Sequence, residues 1–277
     1  MHLYKSRIAW VFIFITFFAF NAYAQEQKDD LTVIKGSQQV VLTARDFEHL
    51  KVAKIEVQDP VYGKIKHYAG YWLSDILDLA RIHPDANSVY IFTALDGYKA
   101  RLAQGDLIKT KAKGFVAIAD IDAEEGWVSF EHGKDVITPA PYYLVWDIPK
   151  DAPTDIQLPW AYQMVEISLV GADEAQENIF PAGDKSPAVI RGYKVFSQNC
   201  IACHSLNLQG GVEGPELNVP KNIMEYRNRE FLKAFIKNPD SFSAHNKMPV
   251  FGDSLSDDSI DDVLDYLTWM GKHKINN

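Results

Sequence analysis

Cysteine is nearly missing from this chain. Its 277 residues carry two, Cys200 and Cys203, and everything before residue 200 carries none. A framework of several disulfides is therefore excluded. Basic residues are scarce in the front part: residues 25–184 hold 15 Lys+Arg against 26 Asp+Glu, whereas residues 185–277 hold 11 of each. That surplus of negative charge argues against nucleic acid as a partner. It reads as a solubility surface, although it could also steer a basic partner. Long apolar runs are missing too. The run Ile8 to Phe20 spans about a dozen residues, short of the ~20 that cross a bilayer as a helix. No internal repeat is visible.

What is present begins with the N-terminus. Lys5 and Arg7 precede the apolar run, and Ala22-Tyr23-Ala24 follows it. This order of charge, apolar core and small-x-small site describes a secretory signal over residues 1–24, with an uncleaved anchor as the alternative. Export implies an envelope compartment such as a bacterial periplasm. The rest, at 47% apolar for the whole chain, is long enough for two ordinary domains.

Residues 31–170 mix strand and helix patterns and read as a strand-rich α+β domain. Val52 to Val57 and Lys64 to Tyr68 flank a turn at Asp59-Pro60 and Gly63. Trp72, Leu73, Ile76, Leu77 and Ala80 have helical spacing. Val89 to Ala94 and Tyr98 to Leu102 form a hairpin around Asp96-Gly97. Gly114 to Ile121, Tyr142 to Trp146 and Met164 to Val170 complete the strand set. Residues 171–187 are polar, with Pro181, Gly183 and Pro187, and read as a linker. Residues 188–275 are helical in pattern, and Ser256 is expected to cap the last helix. The front histidines His49, His67, His83 and His132 share no close spacing and read as surface or satisfied core groups. The acidic run from Asp120 to Glu125 reads as a solvated loop without the EF-hand pattern.

The two cysteines stand in Cys200-Ile201-Ala202-Cys203-His204. C-x-x-C-H is the c-type haem attachment run. Each thiol adds to one vinyl group, and two intervening residues set the sulfurs about as far apart as the vinyls. The adjacent imidazole then faces the iron. A thioredoxin-like pair would need a βαβ context, a structural zinc site would need two more ligands, and a plain disulfide leaves His204 unexplained. Met248, in Asn246-Lys247-Met248-Pro249, is the candidate sixth ligand. It is a soft thioether that favours reduced iron. Met224, Met270 and His245 compete with it.

With Gly192, Tyr193 and Phe196, then C-x-x-C-H, Gly214-Pro215, Asn238-Pro239, Met248-Pro249 and Tyr266-Leu267, residues 188–275 resemble a class I cytochrome c domain. The resemblance implies an all-α fold, close approach of the first and last helices at Gly192, and a Pro215 carbonyl accepting the second ring N–H of His204. More loosely, residues 40–170 resemble a shortened molybdopterin-binding domain of the sulfite oxidase family. The matching stretches are Leu42 to Phe47, Gly70 to Leu77, Asp96 to Tyr98, Pro141 to Val145 and Val165 to Ile167. That family holds molybdenum through a cysteine, which this region lacks, so no molybdenum cofactor is expected.

The combined expectation is a two-domain periplasmic cytochrome with one covalent haem c. It would serve as an electron carrier rather than an enzyme, between a dehydrogenase donor and an oxidase or reductase acceptor. The front domain would dock a partner or hold a small ligand. The alternative is the haem-containing subunit of an oxidoreductase whose front domain binds substrate.

Overall fold

The computed structural model describes residues 30–275 except 125, 133–134, 182, 184 and 244–245. The expected signal segment 1–24 and the competing ligand His245 therefore lie outside the described residues. The front part begins with strands β1 (Leu31–Lys35) and β2 (Gln38–Leu42), then a single turn of helix, α1 (Ala44–Phe47). Next come β3 (Ala53–Asp59), β4 (Lys64–Trp72), α2 (Leu73–Ala80), β5 (Ser88–Ala94), β6 (Lys99–Ala103), α3 (Gln104–Thr110) and β7 (Lys113–Asp120). The short hairpin β8 (Phe130–His132) and β9 (Asp135–Ile137) follows, then β10 (Tyr143–Asp147) and β11 (Met164–Gly171).

Two sheets result. One has the order β2-β1-β11-β5-β6, with β1 and β11 parallel and the other neighbours antiparallel. The other has the antiparallel order β10-β7-β4-β3. Leu31, Val33, Phe92 and Ile167 from the first sheet meet Val116, Leu144 and Trp146 from the second, with Ile76 and Leu77 of α2. Tyr68, Phe115, Tyr143 and Val145 fill a second cluster on the far face of the four-stranded sheet. That sheet is thus buried on both faces, which explains why β7 and β10 are apolar without alternation.

The sequence pattern shows no sign of the β1–β2 hairpin, α3 or the β8–β9 hairpin, each made of elements of seven residues or fewer. Short pieces offer too few periods to stand out. The acidic run also differs from expectation at its first residue. Asp120 is buried and faces the fully buried Lys66 at 2.7 Å, paired as charges without a well-aligned hydrogen bond. Nearby, buried Asp59 accepts hydrogen bonds from Tyr68 (2.7 Å) and Tyr143 (3.2 Å). Burial first, and the Asp59 carboxylate second, hold both phenols far above the ordinary tyrosine range.

The back part contains α4 (Pro187–Asn199), α5 (Arg229–Lys237) and α6 (Asp257–Met270). It is not wholly helical: β12 (Ser205–Leu206) and β13 (Gln209–Gly210) make a minimal ribbon after the cysteine motif. Helices α4 and α6 cross at Gly192, where a methyl would meet the Asp262 carbonyl oxygen at 1.9 Å. Only glycine permits that approach. Around the crossing, Tyr266 packs on Phe196 and Tyr193, with ring centroids 5.3 and 5.8 Å apart. Ser256 caps α6 by accepting from Ser259 N–H at 3.1 Å. The segment read as a linker is itself packed, with Ala175 and Ile179 buried and the Ile179 carbonyl accepting from Tyr266 Oη at 2.5 Å.

Candidate haem-binding site

Helix α4 delivers the motif. Its last turn ends at Cys200, and the chain continues as a tight turn in which Cys203 and His204 N–H both donate to the Cys200 carbonyl, at 3.2 and 2.9 Å. Cys200, Cys203 and His204 thereby line one cavity of about 460 Å³. Phe196, Leu217, Leu232, Phe235, Ile260 and Leu264 supply apolar wall, drawn from all three helices and the loop between. Met248 lines the same cavity from the loop before α6, and Met224 and Met270 do not belong to that lining. Met270 instead packs in the core of the back part, as a buried residue of α6.

Neither thiol has the electrostatics of a reactive thiolate. Both cysteines are free. Burial pushes the Cys200 thiol up to about 12. Burial, then the nearby Glu213 carboxylate, pushes Cys203 to about 12 as well. A disulfide oxidoreductase needs the opposite, a thiol depressed toward neutral. Among the described residues no group of three or more His, Cys, Asp and Glu side chains could hold a metal ion.

His204 is oriented by its Nδ1, 2.9 Å from the Pro215 carbonyl, the contact that the resemblance implied. Gly214 makes this possible, because a methyl there would meet the ring at 2.5 Å. Met248 is held by a device that spacing did not reveal. Asn246 Nδ2 donates to the Met248 carbonyl (2.8 Å), and Met248 N–H donates to Asn246 Oδ1 (3.2 Å). One side chain thus grips both backbone groups of the methionine. The only hint was an asparagine two positions before Met248, a residue type that often bonds its local backbone.

Comparison with known proteins bears directly on this cavity. The cytochrome c family model matches residues 189–271, and a nitric oxide reductase subunit of Stutzerimonas stutzeri is 34% identical over 120 residues, 39% of this chain and 79% of that protein. This chain belongs to the cytochrome c family. The cytochromes c6 of Pyropia tenera and Bumilleriopsis filiformis are 33% and 35% identical over 78 residues, 27% of this chain and 85% and 84% of theirs. A cytochrome c domain implies covalently bound haem c and makes the protein a haem electron-transfer protein. The residues present fit such a group: two uncharged thiols, an oriented imidazole and a thioether border an apolar cavity. Among the described residues, no helix of this cytochrome is long and apolar enough to cross a membrane.

Proposed function

We propose that the chain is a monohaem c-type cytochrome acting as an electron carrier in an exported compartment such as a periplasm. Cys200 and Cys203 would form the thioethers, His204 would be the proximal ligand and Met248 the distal one. The observation that carries this reading is the convergence of these four side chains on one apolar cavity. When bound, the haem supplies a one-electron Fe(III)/Fe(II) couple. The protein's own share is positional. The Pro215 carbonyl fixes the His204 ring and raises its basicity. Asn246 holds the Met248 backbone, and the apolar walls keep water from the centre. No side chain needs to move a proton. The front part, with no cysteine to hold molybdenum, serves partner docking or ligand binding; its likeness to the sulfite oxidase family rests on segment order alone.

Expression with haem-attachment machinery tests the reading. The expected product shows a Soret band and the mass increment of one macrocycle, and Cys200→Ala with Cys203→Ala removes both. Colourless material of unchanged mass would end the proposal. A second reading, a haem subunit of a reductase, draws support from the likeness to the nitric oxide reductase subunit and from a front-part cavity of about 480 Å³ lined by Trp72, Ser74, His83 and Lys113. Metal analysis separates the carrier from an oxidoreductase subunit whose front domain itself binds substrate: iron alone favours the carrier, and a second stoichiometric metal favours the substrate-binding subunit.

A further inference from the structure

The turn between β5 and β6 does not end in solvent. Lys99 N–H donates to the Ala202 carbonyl (2.8 Å), inside the C-x-x-C-H run, and Val212 N–H donates to the Gly97 carbonyl (3.0 Å). The approach is close: Gly97 has φ +88°, and a methyl there would meet Val212 Cγ2 at 2.4 Å. Tyr98 is half-buried at the same corner, within electrostatic reach of Cys203 and Glu213. Residues 95–98 of the front part and 212–213 of the back part therefore form one continuous surface beside Cys203, which lines the haem cavity.

The composition of that corner is specific. Leu95 and Val212 leave 48% and 64% of their surface in water. Each is followed in sequence by an exposed carboxylate, Asp96 and Glu213. Neither carboxylate joins an ion pair among the described residues. Lys247, the cationic side chain in the cavity lining, is by contrast matched by Asp135 of the front part at 3.9 Å. The rim thus carries unpaired negative charge around a small aliphatic centre.

We infer that this composite corner is the docking surface for an electron-exchange partner whose own cofactor edge is rich in lysine or arginine. The inference rests on the electron-carrier reading. An aliphatic centre lets two proteins exclude water where their cofactors approach, and the carboxylates select a basic partner and repel an acidic one. The acidic excess of the front part steers in the same sense at longer range. The front part then contributes half of the contact surface for the haem that the back part holds.

The test uses the full haem-loaded chain, reduced, mixed by stopped flow with two oxidised probes. One is a small soluble cytochrome with a lysine-rich haem edge, and the other has an acidic edge. The basic probe is expected to react at least about tenfold faster at low salt, with the advantage collapsing as salt rises. Asp96→Asn retains the oxygen that accepts the Tyr98 N–H and should slow the basic probe roughly threefold, one charge's share of such steering. Leu95→Ser should slow both probes and leave the salt dependence intact. Equal rates for the two probes, or an Asp96→Asn variant that reacts like the parent, overturn the inference. Absorbance and potential are read on the same samples. A chain that takes up no haem overturns both readings, whereas a haem-loaded chain with charge-insensitive rates overturns this one alone.

Discussion

Asn246 decides how firmly Met248 is presented. Its amide makes two hydrogen bonds to the Met248 backbone, and replacing it with alanine removes both. A net loss of about 1.4 kcal/mol, within the usual range for two such bonds, would raise the population with Met248 displaced about tenfold. Asn246→Ala should therefore bind carbon monoxide faster in the reduced state while keeping its covalent haem. Met248→Ala should do so more completely and lower the potential. If carbon monoxide reacted with Asn246→Ala no faster than with the parent, the clip would be incidental.

His67 makes a different kind of prediction. Its ring lies 2.9 Å from Asp122 and 3.1 Å from Glu56, and hydrogen bonds to Asp122 first and Glu56 second raise its pKa. A raised folded-state value means that the stabilisation is complete below the unfolded value of about 6.5 and fades as pH climbs through the folded value. Thermal melts of the parent should therefore lose stability across that window above pH 6.5, and His67→Gln should flatten the slope there. An identical pH profile in the variant would show that the contact carries no linkage. The sequence read His67 as a surface or satisfied core group and could not pair it. Glu56 and Asp122 reach it from a neighbouring strand and from the end of another, and such neighbours are set by register.

At the scale of elements, the end of α6 is held by a ladder of buried asparagines. Asn222 Nδ2 donates to the Leu267 carbonyl and to Asn218 Oδ1, at 2.9 and 2.7 Å. Asn218 Nδ2 donates to the Met270 carbonyl and to Asn207 Oδ1, at 2.9 and 2.7 Å. Asn207 Nδ2 reaches the His273 and Asn178 carbonyls, at 3.0 and 2.9 Å. The Leu267 and Met270 carbonyls also accept the backbone N–H groups of Gly271 and His273, at 3.0 and 2.8 Å, so the loop amides give the helix end a second set of bonds. Asn218→Ala would remove three side-chain hydrogen bonds, to Met270, to Asn207 and from Asn222, and at a typical net worth per bond should cost about 3 kcal/mol. A fall in melting temperature with the haem spectrum intact would confirm it, and a neutral result would mean that water replaces the amide. This ladder was invisible in the sequence, where Asn207, Asn218 and Asn222 look like ordinary loop residues. The helices were legible, because α4, α5 and α6 are long enough to show a 3.6 period and carry Asn and Ser caps. The haem motif was legible because its chemistry is local: Cys200, Cys203 and His204 need only one turn of chain. Met248 followed from loop position and residue type, whereas its clip and the cavity wall needed the fold.

At the scale of the molecule, the front and back parts share main-chain hydrogen bonds, which are not the mark of two bodies joined by a free tether. Besides the bonds at Gly97 and Lys99, the Arg101 side chain of β6 ties the connecting segment down by donating to the Ala175 carbonyl at 2.8 Å. Residue 97 is the place to break this union without touching the haem cavity. Gly97→Val forces a β-branched residue into φ +88°, a region such residues rarely adopt, and drives its side chain into Val212. The parent should unfold in one transition followed equally by Soret absorbance and far-ultraviolet dichroism, as coupled parts do. Gly97→Val should split this into two, the front part melting first and the Soret signal persisting. Its folded state should also be brighter in tryptophan fluorescence, because Trp72, Trp127, Trp146 and Trp160 all sit in the front part and would swing away from the quenching haem. Coincident transitions in the variant would mean that the hairpin contact is not what couples the two parts, and the docking corner built on it would lose its rigidity.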